Sequence, residues 1–280
     1  MASIFNLIRK RSEASKTATD LKTPDSLDAL NTVDLAFVVD TTGSMGPFIN
    51  AARTHMVATL RALTDAAPIR LRVGLVEYRD HPPQERSFVT RAHDFTADLS
   101  NAARTIHALR PDGGGDTPEA VYDGLRTMCN VLSWEPHSHK LAVLIGDAPP
   151  HGTGQGGDRF PDGCPCGMTA DTATSLLEAS AISLYALSMD TGSEDAFARL
   201  ARFTGGESFP VRGGDAAIAT LKSLLAKEFE DLEFDRQVRD FACARVDWTV
   251  DEICQAVEGT RGRVSAALSR LGRRGLLSWA

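Results

Sequence analysis

Val33-Asp34-Leu35-Ala36-Phe37-Val38-Val39-Asp40-Thr41-Thr42-Gly43-Ser44-Met45 is the stretch that decides the fold. Its first seven residues are near-continuously apolar, as a strand buried on both faces should be. Then the chemistry changes abruptly. Asp40, Thr42 and Ser44 alternate, so their oxygens can point to one centre, and Gly43 allows the tight turn this requires. Working outward, Ile69 to Tyr78, Leu141 to Gly146 and Ile182 to Ser188 read as further strands. Phe48, Ala52, Met56, Leu60 and Leu63 recur at helical spacing, as do Val121, Leu125, Met128 and Leu132. More helices are expected over 97–109, 170–180, 193–203 and 214–230. Ser87 to Phe95 follows across a Pro82-Pro83 turn too short for a crossover, which predicts an antiparallel edge strand. The pattern is that of an α/β protein with a doubly wound, mostly parallel, Rossmann-like sheet, in which ligands sit beyond the carboxyl ends of the central strands.

Two distant segments are expected to join Asp40, Thr42 and Ser44 there. Gly113-Gly114-Gly115-Asp116-Thr117-Pro118-Glu119 reads as a helix opening, with Thr117 near the cap and Pro118 at the first helical position. The strand ending at Gly146 delivers Asp147. Singly, Asp40 is an ordinary turn residue, Thr117 a cap and Asp147 a strand end; together they are five oxygen donors without His or Cys. That donor set suits a hard cation such as Mg²⁺, Mn²⁺ or Ca²⁺. Only two of the five are charged, so the ion stays incompletely neutralised and should seek a further carboxylate from a protein partner.

Residues 33 to about 230 resemble a von Willebrand factor type A domain, and Asp40-Thr41-Thr42-Gly43-Ser44 looks like its metal-ion-dependent adhesion site with Thr in place of the first Ser. The resemblance implies that Thr42, Ser44 and Thr117 contact the metal directly and that Asp40 and Asp147 act largely through water. Tyr78-Arg79-Asp80, Gly114 to Glu119 and Asp147-Ala148-Pro149-Pro150-His151-Gly152 look most similar to the intracellular branch, including the domain fused to alpha-kinases.

Other motifs carry less. Gly152, Gly154 and Gly157 match G-x-G-x-x-G, but Pro161, Gly163, Pro165 and Gly167 forbid the helix that a dinucleotide fingerprint needs. Cys164-Pro165-Cys166, near His151, Asp158 and Asp162, invites a second metal; its spacing is short for zinc, so zinc is not expected and the loop reads as a stiff wall beside the cation. Asp116, Arg79, Asp80, His81 and His151 are expected on the ligand rim, with a solvated hairpin as the alternative for residues 79–81. No ordered nucleophile, base and acid occur, so the chain reads as a binding protein and not an enzyme.

The 280 residues are 42% hydrophobic and 24% charged, enough for a sizeable core, and no apolar run reaches a membrane span. Five scattered cysteines argue against a disulfide scaffold and for a reducing cytoplasm. Residues 1–32 read as a flexible leader, with Ile4, Phe5, Leu7 and Ile8 beside three basic residues as an alternative surface anchor. Residues 235–280 hold eight Arg against six Asp or Glu, hence +2; with a net charge of −7, the preceding 234 residues carry −9. Acidity of that size argues against general nucleic-acid affinity. In the tail, Thr249 and Thr260 cap two helices, Val264, Ala267, Leu268 and Leu271 face inward, and the segment resembles the winged-helix group of bacterial helix-turn-helix proteins. Arg261, Arg263, Arg270, Arg273 and Arg274 then suit the phosphates of duplex DNA. That leaves two readings: a metal-dependent protein-binding adaptor, or a DNA-binding regulator with the larger domain as sensor. About 45 residues make a small core, so the tail should pack on that domain or form a homodimer.

Overall fold

Alternation along one strand organises the molecule. In the computed structural model, which describes residues 29–66, 69–154, 156–245 and 247–277, β1 (Thr32–Asp40) is buried along its whole length. Val33, Leu35, Phe37 and Val39 enter one hydrophobic cluster, while Ala36 and Val38 enter another on the opposite face, as the two-residue period of a strand demands. Five more strands complete the sheet: β2 (Arg70–Tyr78), β3 (Thr90–Thr96), β4 (His139–Gly146), β5 (Ser183–Ser188) and β6 (Ser208–Pro210), in the order β3-β2-β1-β4-β5-β6. Every neighbouring pair is parallel except β2 with β3. The antiparallel edge thus lies where the short Pro-Pro turn requires it. The chain turns outward from β1 in both directions, so β1 and β4 flank the point where a ligand site is expected.

One face is covered by α1 (Gly46–Ala51), a π-helical turn (Ala52–Met56), α2 (Val57–Ala66), α3 (Leu99–Ala108) and the first half of α7 (Gly214–Cys243). The other is covered by α4 (Val121–Val131), α5 (Ala170–Ala179) and α6 (Thr191–Arg202), which bury Leu125, Met128, Leu177, Phe197 and Leu200. Burying each such side chain contributes about 1.5–3 kcal/mol. Among the described residues no helix is long and apolar enough to cross a membrane.

The helix α7 runs unbroken for 30 residues, from the larger domain into the tail. Its second half forms a third cluster with α8 (Val250–Ala256) and α9 (Arg261–Arg273), in which Phe234, Val238, Ile253, Val264, Leu268 and Leu271 are buried. Thr249 and Thr260 cap these two helices as expected. Residues 1–28 of the expected leader lie outside the described residues, but residues 29–32 do not behave as a leader. Leu30 is buried in the third cluster and Thr32 opens β1.

Two of the five tail arginines turn inward, contrary to a shared phosphate-facing surface. Arg270 Nε donates to Asp235 Oδ2 at 2.9 Å, and Asp235 is only 1% exposed. Arg274 Nη2 donates to Ala29 O at 2.7 Å and Arg274 Nε to His137 O at 3.1 Å, tying the tail to the start of the domain. Arg261 pairs with Asp251, and Arg263 lies 3.7 Å from Asp231 and over the Phe234 ring. Arg273 is exposed.

Candidate metal centre

The strand β1 ends by folding its own carboxylate back on the loop. Thr42 N and Thr42 Oγ1 both donate to Asp40 Oδ1, at 2.8 and 2.7 Å, and Thr42 Oγ1 lies 3.3 Å from Ser44 Oγ on the 3₁₀ turn Gly43–Met45. Three oxygens expected to converge therefore do so, with Asp40 and Thr42 buried and Ser44 exposed. Backbone bonds hold the second segment across them: Gly43 N donates to Gly113 O at 3.2 Å and Asp112 N to Thr41 O at 3.1 Å. Gly114 sits at φ +88°, and a Cβ there would lie 3.3 Å from Thr42 Cβ and 3.5 Å from Glu119 Oε1. The positive φ favours glycine there, and the approach to Thr42 leaves little room for a side chain. Glu119 N donates to Pro149 O at 3.0 Å, which brings the third segment, headed by Asp147, alongside.

The expected helix opening at Thr117 and Pro118 is corrected by this pairing. Glu119 forms a β-bridge with Pro150, so the chain is not yet helical there, and α4 begins only at Val121 with Ala120 as its cap. Thr117 is an exposed loop residue, not a cap; Asp147 is half-buried directly after β4.

Electrostatics mark the same place. Burial first, and the Asp147 charge second, push the Asp40 carboxyl up to about 7. Burial, then the charges of Asp40, Asp80, Asp116 and Asp147, push Glu119 up to about 10. Burial raises Asp116 as well. Asp40 Oδ2, Glu119 Oε2, Asp80 Oδ2 and Asp116 Oδ1 are buried without a hydrogen-bond partner among the described residues. Unpaired buried carboxylate oxygens are costly. An all-oxygen cluster of carboxyl groups that crowd one another in this way fits a divalent hard cation, which would take the place of their protons. Glu119 escaped the sequence reading because its usual role at a helix start masked it.

Of the residues expected on the rim, Arg79, Asp80, His81 and His151 are buried in a network and Asp116 is half-buried. Arg79 is 5% exposed, with Nη1 3.2 Å from Glu85 Oε2, Nη2 donating to Arg110 O at 2.9 Å and Nε 3.4 Å from Thr41 Oγ1, so it fastens the loops and does not face a ligand. His151 is clamped between Asp80 Oδ1 (2.7 Å) and Asp158 Oδ1 (2.9 Å). Burial opposes its charged form, yet the two carboxylates outweigh that and raise its pKa. Asp116 Oδ2 accepts from Arg159 N at 2.8 Å. His81 turns away to Asp123, at 2.9 Å. The glycines 152, 154 and 157 all have positive φ in an irregular loop, as the Pro/Gly pattern anticipates, and no dinucleotide-type helix follows them.

Comparison with known proteins agrees with this geometry. Residues 34–152 match the family model of the von Willebrand factor A domain. The chain is 31% identical over 167 residues to the alpha-protein kinase vwkA of Dictyostelium discoideum, covering 59% of this chain and 25% of the kinase. It is 29% identical over 134 residues to an ariadne-like RING finger protein of Acanthamoeba polyphaga mimivirus, covering 48% and 13% respectively. The chain therefore spans a quarter or less of the curated relatives it matches. Among solved structures, proximal thread matrix protein 1 from the mussel byssus, with a zinc-occupied MIDAS motif, superposes at TM-score 0.53 and 15% identity over 72% of this chain and 47% of that one. Residues 34–152 are thus similar in sequence to a von Willebrand factor A domain, and the fold is similar to that of the byssus protein.

Proposed function

We propose that this chain is a metal-dependent protein-binding module, in which Asp40, Thr42, Ser44, Thr117 and Asp147 hold one divalent cation and a carboxylate of the partner completes the set. One observation carries the reading: Asp40 Oδ2 is fully buried, unpaired among the described residues and pressed against the negative charge of Asp147. The ion, when bound, supplies an electrophilic position for an acidic ligand. Asp40 orients Thr42, Thr42 aligns Ser44, and the Gly113-Gly114 segment closes the floor. Mg²⁺ suits these oxygens, and Mn²⁺ or Ca²⁺ share the preference. The five free cysteines favour a reducing, cytoplasmic setting.

The DNA-binding alternative is the weaker reading, since Arg270 and Arg274 are committed inside the molecule and Arg261 and Arg263 face acids. The test is calorimetric Mg²⁺ titration, and capture of an acidic protein partner, by wild type, Asp147→Ala and Ser44→Ala, with and without EDTA. Removing Asp147 should cost more Mg²⁺ affinity than removing Ser44. Capture that persists unchanged in EDTA refutes the adhesion-type mechanism.

A further inference from the structure

The loop after β4 brings its cysteines to a second cluster, separate from the oxygen centre. Cys164 Sγ lies 3.1 Å from Asp123 Oδ2 and 3.4 Å from His81 Nε2, and those two atoms are 2.9 Å apart. All three side chains are nearly buried, and Cys166 follows Cys164 by two residues on the same loop, its Sγ 3.4 Å from Met168 N. We infer that His81, Asp123, Cys164 and Cys166 form a zinc-type site of the domain.

The arrangement of atoms decides between zinc and a catalytic triad. In a triad the acid holds the histidine nitrogen that faces away from the nucleophile, so the three groups form a chain. Here the carboxylate and the thiol meet the same ring nitrogen, Nε2, and each other. The donors converge on a common point and form a closed triangle. With zinc bonds of 2.0–2.3 Å, a tetrahedral shell has ligand-to-ligand edges of about 3.3–3.8 Å. The observed edges of 2.9, 3.1 and 3.4 Å need only small side-chain rotations to reach that range.

Charge also balances. Two thiolates and one carboxylate carry three negative charges; zinc supplies two positive ones. Arg126 supplies the third, with Nη2 donating to Asp123 Oδ1 at 3.1 Å and Nη1 to Cys166 O at 3.3 Å. That contact also orients the carboxylate so that Oδ2 faces the cluster, the role outer partners play in metal sites. Phe160 stands edge-on to His81. Softness of the donors separates this site from the oxygen centre, where no sulfur is present. The inference does not rest on the proposed partner-binding function.

The experiment is metal analysis of the purified full chain, followed by exchange of its metal for Co²⁺ and optical spectroscopy. Wild type should carry about one zinc per chain in this site and show a thiolate-to-cobalt charge-transfer band with the intense visible bands of a tetrahedral ion. Ser44→Ala should keep both. Cys164→Ser with Cys166→Ser should lose the band, and Asp123→Asn should weaken zinc binding by about 10-fold or more. Wild-type protein that takes up cobalt without a thiolate band, or zinc that disappears in Ser44→Ala, overturns the site and assigns the ion to the oxygen centre. Because the wild-type spectrum is itself decisive, a variant that fails to fold does not remove the test.

Discussion

Asp40 and Glu119 keep protons in the folded chain that they release once it unfolds, and this fixes the sign of the pH dependence. Their folded values, about 7 and about 10, lie above the ordinary carboxylate range. Over the interval between the unfolded and folded values, the native state binds more protons, so stability falls as pH rises. His151 acts in the same direction: its raised pKa adds stability that is present below about pH 6.5 and lost above its folded value. Metal-free protein should therefore melt at a lower temperature at about pH 8 than at about pH 5, and Mg²⁺ should narrow the gap, because ion binding releases those protons. Melting curves in EDTA and in Mg²⁺ check this; a stability rising with pH in EDTA contradicts it. Gly146 offers a second test at this scale. A Cβ there would lie 2.4 Å from the Tyr78 hydroxyl and 3.4 Å from Asp40 Cβ. Gly146→Ala should cost about 1–3 kcal/mol in denaturant unfolding and lower Mg²⁺ affinity by shifting Asp40.

Between elements, α9 is held to α7 by Arg270 and Asp235, side chains 18% and 1% exposed. Removing one partner leaves a buried charge unpaired, so Arg270→Ala should cost about 3–5 kcal/mol of stability. Arg261→Ala, on an exposed pair, should stay within about 0.5 kcal/mol. Equal effects in urea titrations would show that the α7–α9 pair is not the clamp. The same elements show why part of the molecule was legible and part was not. The strands β1, β2, β4 and β5 announce themselves by apolar runs, and Asp40, Thr42 and Ser44 converge because they are neighbours on one turn. Three-residue β6 is too short to carry a period. Charged residues after a strand read as a solvent rim, yet Arg79 finds Glu85, Ser87 and a carbonyl and goes inside. Asp123 sits on α4 at an unremarkable position, and only the tertiary approach of residues 164–166 gives it a thiol neighbour.

At the scale of the whole molecule, α7 belongs to two of the three hydrophobic clusters, which leaves no seam between sheet and tail. Melting followed by far-UV circular dichroism and by tryptophan fluorescence should therefore give coincident transitions, as Trp134 packs on the sheet side and Trp248 against the tail cluster. Two separated transitions would mean that the tail is an autonomous unit. The same helix has a mechanical consequence. At 30 residues it is a rod about 45 Å long. Its first residue, Gly214, has no room for a Cβ, which would meet Pro47 O at 2.5 Å and Ala51 Cβ at 2.7 Å on α1. The helix α1 in turn follows directly on the Gly43–Met45 turn. The loop of Asp40, Thr42 and Ser44 is thus coupled through α1 to the start of a rod whose far end is embedded in the tail cluster, so a shift of that loop has to be absorbed by the packing at both ends of α7.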